Sequence, residues 1–148
     1  MPVHDPDREQ VVETMIALTR LSNVHRTFIA GDDRVRLYVS LRRHGFVRID
    51  TLETCGIPRQ QHLVGLISGQ SSPAALEAAL REVTPFLGRT ATLAILVASQ
   101  VGASGLKVSG KLGQLGFRIE AGVRCRQGLV LSAFRQDLAQ LERTAWAS

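Results

Sequence analysis

Two short apolar runs, separated by an amphipathic segment, constrain the fold of this chain more than its other features do. The runs span residues 62–68 (HLVGLIS) and 92–98 (TLAILVA), and each has the length of a buried strand. Between them, Ser72 and Pro73 begin a predicted helix whose apolar stripe is Leu76, Leu80, Val83 and Leu87. A strand, a helix and a second strand in this order predict a parallel β-α-β unit.

The rest of the chain extends this unit on both sides. Apolar residues recur at spacings of three and four over residues 8–29, which predicts an N-terminal amphipathic helix ended by Gly31. A second helix is predicted over residues 34–44, a strand over 46–51 and a weaker helix over 104–115. Segments 117–125 and 129–134 are close enough in sequence to form an antiparallel hairpin, and residues 136–146 can form a terminal helix. We therefore expect an α/β fold with a mostly parallel sheet of about five strands, a C-terminal antiparallel hairpin and two N-terminal helices.

Length and composition indicate one domain. The chain has 148 residues, 45% of them hydrophobic and 21% charged, so residues 1–148 are expected to fold around one core, with residues 1–7 disordered. No apolar run approaches the roughly 20 residues that a membrane span needs. The N-terminus is polar and acidic, unlike a secretion signal. We expect a cytoplasmic protein with no membrane partner.

Two phrases in the second half of the chain resemble a known family. The phrases are AALREVTPFLGRTATLAILVAS and LGQLGFRIEAGVRCRQGLVLSAFR. From about Gly45 onward, the chain resembles the C-terminal half of the class I S-adenosylmethionine-dependent methyltransferases, which implies a Rossmann-like sheet. That family holds its cofactor with a glycine-rich loop after the first strand and an acidic residue that ends the second strand. Here the predicted N-terminal helices occupy that region, so we expect a truncated sheet without the glycine-rich loop and with no cofactor.

The resemblance and the sheet topology together suggest a ligand pocket. Asp50 matches an acidic residue near the family's third strand, and Ser68 begins the segment where the family's catalytic loop starts. Ligands of open α/β sheets bind at the carboxyl ends of the strands. The candidate pocket residues are Asp50, Ser68, Gly69, Gln70, Ser99 and Gln100.

A basic surface is the second candidate site. The formal net charge is +5, and basic residues concentrate around the second helix and between residues 107 and 135. Such clusters bind nucleic-acid phosphates or acidic proteins, or are merely solvated. The candidate residues are Arg34, Arg36, Arg42, Arg43, Lys107, Lys111, Arg118, Arg124, Arg126 and Arg135.

Several catalytic chemistries lack their residues in this sequence. No GxSxG elbow or HExxH pair is present. The segment GLKVSGK matches GxxxxGK, but Leu112 stands where a magnesium ligand is needed. Two cysteines without CxxC or HxxxH spacing predict no metal site. His44 and His62 are placed to approach Asp50, but a lone histidine is more often a cap or a packing residue.

These features favour a non-catalytic regulatory or interaction module that binds an anionic partner, either nucleic acid or an acidic protein. The alternative is a small methyltransferase-like enzyme, or a sensor of a nucleotide or S-adenosylmethionine-type ligand. Self-association into a homodimer also stays open, because trimmed sheets expose edges.

Overall fold

The computed structural model describes residues 6–54, 61–68, 72–98 and 105–135. The elements in chain order are α1 (Pro6–Thr19), β1 (Thr27–Ala30), α2 (Arg34–Arg43), β2 (Ile49–Asp50), β3 (His62–Ile67), α3 (Pro73–Val83), a 3₁₀ turn (Thr84–Phe86), β4 (Leu87–Ala98), α4 (Gly105–Gln114), β5 (Phe117–Cys125) and β6 (Gly128–Arg135). The predicted terminal helix lies outside the described residues.

The strands form one six-stranded mixed sheet with the order β2-β1-β3-β4-β6-β5. The first four strands are parallel, and β6 pairs antiparallel with both β4 and β5. The predicted α/β class, the mostly parallel sheet and the C-terminal antiparallel pair are therefore confirmed. The antiparallel strand β6 lies inside the sheet, between β4 and β5.

The predicted long N-terminal helix is wrong in its second half. Helix α1 ends at Thr19, and Arg20 follows with a φ of 52°. Residues 27–30 (TFIA) form strand β1, and all four are buried. A strand that is buried on both faces has few polar positions to mark its two-residue repeat. Its residues therefore fit the helical repeat of 3.6 residues as well as the strand repeat. Pro6 and Asp7 belong to α1, although we expected disorder as far as residue 7.

Helices cover both faces of the sheet. On one face α1 and α2 bury Met15 and Leu41 against Ile29 and Leu66. On the other face α3 and α4 contribute Leu80, Val83 and Leu112 to a core that includes Phe28. Two covered faces explain why β3 and β4 are apolar almost without interruption. No helix in the described segments is long and apolar enough to cross a bilayer.

The strand order positions a site. The series β2-β1-β3-β4 corresponds to strands 2-1-4-5 of the common doubly wound order 3-2-1-4-5-6. In such sheets the ligand lies beyond the carboxyl ends of the strands. A functional site is therefore expected beside the segments that follow β1, β2 and β3.

Candidate functional site

A cleft lies between α3 and the carboxyl ends of β1 and β2. It has a volume of about 690 Å³, within the range of small-molecule sites. Ala75, Ala78 and Ala79 of α3 line this cleft, and their short side chains leave its volume unfilled. The residues that line this β1–β2 cleft are Gly31, Asp32, Arg34, Leu52, Ala75, Ala78, Ala79, Arg81, Glu82, Pro85 and Phe86.

Gly31 begins the segment after β1. Its φ is 105°, and a Cβ atom built on it would lie 2.0 Å from the carbonyl oxygen of Ser68. Only glycine permits this approach of the β1 and β3 ends. The sequence analysis expected a helix to end at Gly31. This is wrong, since Gly31 directly follows strand β1. It is, however, one glycine rather than a glycine-rich loop, and its close contact is with its own chain.

Asp50 ends β2, the strand beside β1. It therefore stands at the end of the second strand, not near the third strand as expected. Its Oδ2 atom lies 2.8 Å from Nε2 of His62, which is fully buried. The other ring nitrogen, Nδ1, lies 3.2 Å from the carbonyl oxygen of Phe86. Both ring nitrogens therefore face oxygen atoms, one of a side chain and one of the backbone.

An irregularity in the sheet places His62 beside Asp50. The pairing of β3 with β4 shifts register between His62 and Val64. His62 consequently packs edge-on against Phe28, with ring centroids 5.4 Å apart, on the face covered by α3. Val64 packs on the opposite face. Of the two histidines expected near Asp50, His62 contacts it, whereas His44 lies 3.4 Å from Glu9.

Charged side chains surround the cleft. An Arg34 guanidinium nitrogen lies 2.7 Å from Oε1 of Glu53. A backbone hydrogen bond, with further bonds from Thr51 and Arg34, lowers the pKa of Glu53. Burial raises the pKa of Glu82, and the nearby charge of Glu53 raises it further, while Arg34 opposes the shift. A carboxyl group with a raised pKa in a cleft is typical of functional sites.

Glu82 was missed in the sequence analysis. Its signal was nevertheless present, because Ala75, Ala78, Ala79 and Glu82 stand at positions i, i+3, i+4 and i+7 of one helix face. A stripe of small residues that ends in a carboxylate indicates space beside the helix. The stripe was overlooked because the leucines of the opposite face dominated the helix assignment.

The structure places two of the six predicted pocket residues, Asp50 and Ser68. Ser68 is buried, and its carbonyl oxygen accepts a hydrogen bond from the Asp33 backbone N–H at 3.4 Å. The other four, Gly69, Gln70, Ser99 and Gln100, lie outside the described residues. Neither Asp50 nor Ser68 lines the cleft, although Ser68 lies against its residue Gly31.

The predicted basic residues do not meet on one surface. Arg34, Arg36, Arg42 and Arg43 belong to α2, which packs on β1, whereas Arg118 and Arg124 belong to β5 at the far edge of the sheet. Lys111 pairs with Glu77 at 2.8 Å, and Arg126 lies 3.8 Å from Asp7. The Arg135 guanidinium donates to the Leu87 carbonyl oxygen at 2.8 Å. The Lys107 side chain is outside the described part of the structure.

Two further motifs fall outside the cleft. The GxxxxGK segment lies largely within α4, so it is helix rather than a phosphate-binding loop. Within the described ranges, one group has metal-ligand character, namely Glu9, Glu13 and His44, whose ligand atoms lie within 4.8 Å of one another. These residues are on α1 and at the end of α2 and do not line the cleft.

The solved structures that are similar to this chain include several methyltransferases. A methyltransferase from Burkholderia thailandensis, solved with 1,6-didemethyltoxoflavin and S-adenosylhomocysteine, matches with a TM-score of 0.61 and 16% identity, over 87% of this chain and 80% of its own. A ribosomal protein L11 methylase from Lactobacillus delbrueckii subsp. bulgaricus matches with a TM-score of 0.61 and 10% identity, over 91% and 81% of the two chains. The [4+2]-cyclase SpnF also matches, with a TM-score of 0.55 and 11% identity, over 86% and 80%. No protein-family model matches the chain, and no curated protein matches it in sequence.

The matches correct two expectations. The preference for a non-catalytic module, and with it the preference against an enzyme, is wrong, because the folds that match are those of S-adenosylmethionine-dependent methyltransferases. They support the alternative, a methyltransferase-like enzyme. The match also includes the N-terminal half, which the phrases in the sequence did not reach. The chain has the class I S-adenosylmethionine-dependent methyltransferase fold.

Proposed function

We propose that this chain is a small methyltransferase-like enzyme that binds S-adenosylmethionine in the β1–β2 cleft. One observation carries the proposal: a glycine directly follows β1 and a carboxylate ends β2, at the edge of the sheet where open α/β folds bind ligands. These are the two positions that the resemblance assigns to cofactor binding. The buried His62 holds Asp50 in place there.

The residues of the cleft fit this cofactor chemically. S-adenosylmethionine carries an adenine ring, ribose hydroxyls, a carboxylate and two positive centres. Leu52, Phe86 and the alanines of α3 offer an apolar wall to the ring. Asp32 and Glu82 offer carboxylates to hydroxyls and positive groups, and Arg34 offers a guanidinium to a carboxylate.

Asp50 and Glu82 then have defined roles in this proposal. The bound cofactor would supply a methyl group activated on a sulfonium. Asp50 ends β2 beside the cleft without lining it, and one fifth of its side chain is exposed. It would accept a hydrogen bond from a cofactor hydroxyl that reaches the end of β2, through the oxygen that His62 leaves available. Glu82, whose pKa is raised, is better suited than an ordinary glutamate to take up a proton from a methyl acceptor.

Filling the cleft tests the proposal. Ala78 is exposed on α3 and lines the cleft, whereas Ala74 is exposed on the same helix and does not. Both tolerate leucine, because alanine and leucine have similar helix propensities. We expect S-adenosylhomocysteine to raise the Tm of the wild type by roughly 5–10 °C at about 100 times its dissociation constant. Ala78→Leu should abolish this shift and Ala74→Leu should retain it.

The two variants distinguish a ligand in the cleft from a ligand bound elsewhere. An equal shift in both variants would place the ligand elsewhere on the molecule. No shift in the wild type at millimolar S-adenosylmethionine or S-adenosylhomocysteine would overturn the proposal.

A further inference from the structure

Exposed apolar side chains concentrate at the β2 edge of the sheet. Eight large hydrophobic residues are exposed in the described part of the chain, and five of them lie on α2 or in the segment around β2. Val35 has 71% of its surface exposed. The five are Val35, Tyr38, Val39, Val47 and Leu52. Clusters of this kind mark interaction sites more often than scattered apolar residues do.

A groove runs through this region. It lies between α2 and β2 and has a volume of about 440 Å³. Val35 and Tyr38 form one wall, and Ile49 and Thr51 form the other. The Arg34–Glu53 ion pair lies at its border. The groove borders the β1–β2 cleft, and Arg34 lines both of them.

No strand among the described residues pairs with the outer side of β2. β2 is the terminal strand of the order β2-β1-β3-β4-β6-β5. The doubly wound order 3-2-1-4-5-6 has one more strand beyond this position, and the described residues contain none there. An unpaired strand edge accepts an added strand through main-chain hydrogen bonds. This edge therefore suits a polypeptide in particular.

The charge of the surface selects among polypeptides. α2 contains four arginines and no acidic residue. Arg42 and Arg43 are exposed, and no ion pair to either is found among the described residues. They follow Val39 by three and four positions, so they share its side of the helix. Two copies of this surface would oppose arginines to arginines, which disfavours a homodimer here and favours an acidic partner.

We propose that this face, formed by α2 and the β2 edge, binds an extended acidic segment of another protein. The segment adds as a strand alongside β2 and places an apolar side chain in the groove between Val35, Tyr38 and Ile49. Its acidic residues lie against Arg42 and Arg43. Val35, Tyr38, Arg42 and Arg43 of this surface do not line the proposed cofactor cleft, although Arg34 and Leu52 at its border do.

A labelled synthetic peptide tests the proposal by fluorescence anisotropy. The probe has two glutamates at each end and alternating valines and threonines between them, and a second probe carries lysines in place of the glutamates. We expect the acidic probe to bind with a dissociation constant on the order of micromolar and the basic probe not to bind. Val35→Ser and the pair Arg42→Glu with Arg43→Glu should each weaken binding by about tenfold or more.

Matched controls lie at the opposite edge of the sheet. Val123 is an exposed valine of β5, and Arg118 and Arg124 are two exposed arginines there. Val123→Ser, and Arg118→Glu with Arg124→Glu, should leave the affinity within about twofold. Equal loss in both sets of variants, or no binding of the acidic probe at millimolar concentration, overturns the proposal. The proposal is also overturned if sedimentation shows a dimer that Val35→Ser dissociates. The same holds if duplex DNA binds more tightly than the peptide and depends on Arg42 and Arg43.

Discussion

The contact between Asp50 and His62 links the core of this protein to its proposed cofactor site. His62 is fully buried, and its two ring nitrogens lie against the Phe86 carbonyl oxygen and the Asp50 carboxylate. Of these two groups, the Asp50 carboxylate is the one that reaches the surface. Sequence reasoning named Asp50 as a strand-end carboxylate and both His44 and His62 as residues placed to approach it. It could not choose between the two histidines, because a shift in strand pairing turns His62 toward the face covered by α3.

Removing the carboxylate should destabilise the fold. Asp50→Ala leaves a ring nitrogen of His62 without its partner, and a buried polar group without a partner costs about 1–3 kcal/mol. Urea denaturation followed by circular dichroism measures the loss. Glu120→Ala, an exposed carboxylate on β5, is the matched control and should stay within about 0.5 kcal/mol. Equal stability of Asp50→Ala and the wild type would show that the contact is absent in solution.

Glu82 predicts a dependence of stability on pH. Burial raises its pKa in the folded chain above the ordinary value of 4.5, so the folded state favours the protonated form. The stability linked to this proton is present below pH 4.5 and is lost as the pH rises through the folded pKa. Glu82→Gln keeps a neutral group at every pH. The Tm of the variant relative to the wild type should therefore rise between pH 4 and pH 7.

Glu120→Gln, at an exposed carboxylate on β5, is the control for this measurement. A difference in Tm between Glu82→Gln and the wild type that stays constant with pH would contradict the assignment.

At the scale of elements, helix α3 and strand β1 show what sequence reasoning can and cannot reach. Ser72 and Pro73 mark the start of α3 correctly, because capping is a local interaction. β1 was assigned to a helix because four apolar residues carry no period that separates a central strand from a helix. Its partners, β2 and β3, follow it in the chain. Their pairing with β1 is a tertiary interaction that the local pattern does not contain.

The cap of α3 should contribute measurably to stability. The Ser72 hydroxyl accepts a hydrogen bond from the Ala75 backbone N–H at 3.1 Å. Ser72→Ala should lower the free energy of unfolding by about 1 kcal/mol, whereas Ser72→Asp should retain most of it. Chemical denaturation of the three proteins tests this order. A loss in Ser72→Asp as large as that in Ser72→Ala would show that the cap does not act as described.

At the scale of the whole molecule, the strand order explains both proposed sites. The carboxyl ends of β1 and β2 form a cleft because α3 presents alanines to it. β2 is left as an edge because no described strand lies beyond it. The antiparallel hairpin and the β-α-β unit were predictable, since both consist of neighbours in sequence. The cleft was not, because it joins residues from positions 31 to 86 that meet only in the folded sheet.

The most direct test of the central claim is to locate S-adenosylhomocysteine on the folded chain by NMR. Titration into isotope-labelled protein should shift the backbone amides of Gly31, Asp32 and Leu52 and leave those of β5 unchanged. That pattern would support a cofactor site in the β1–β2 cleft. Shifts confined to β5 and β6, or no shifts at saturating ligand, would contradict it.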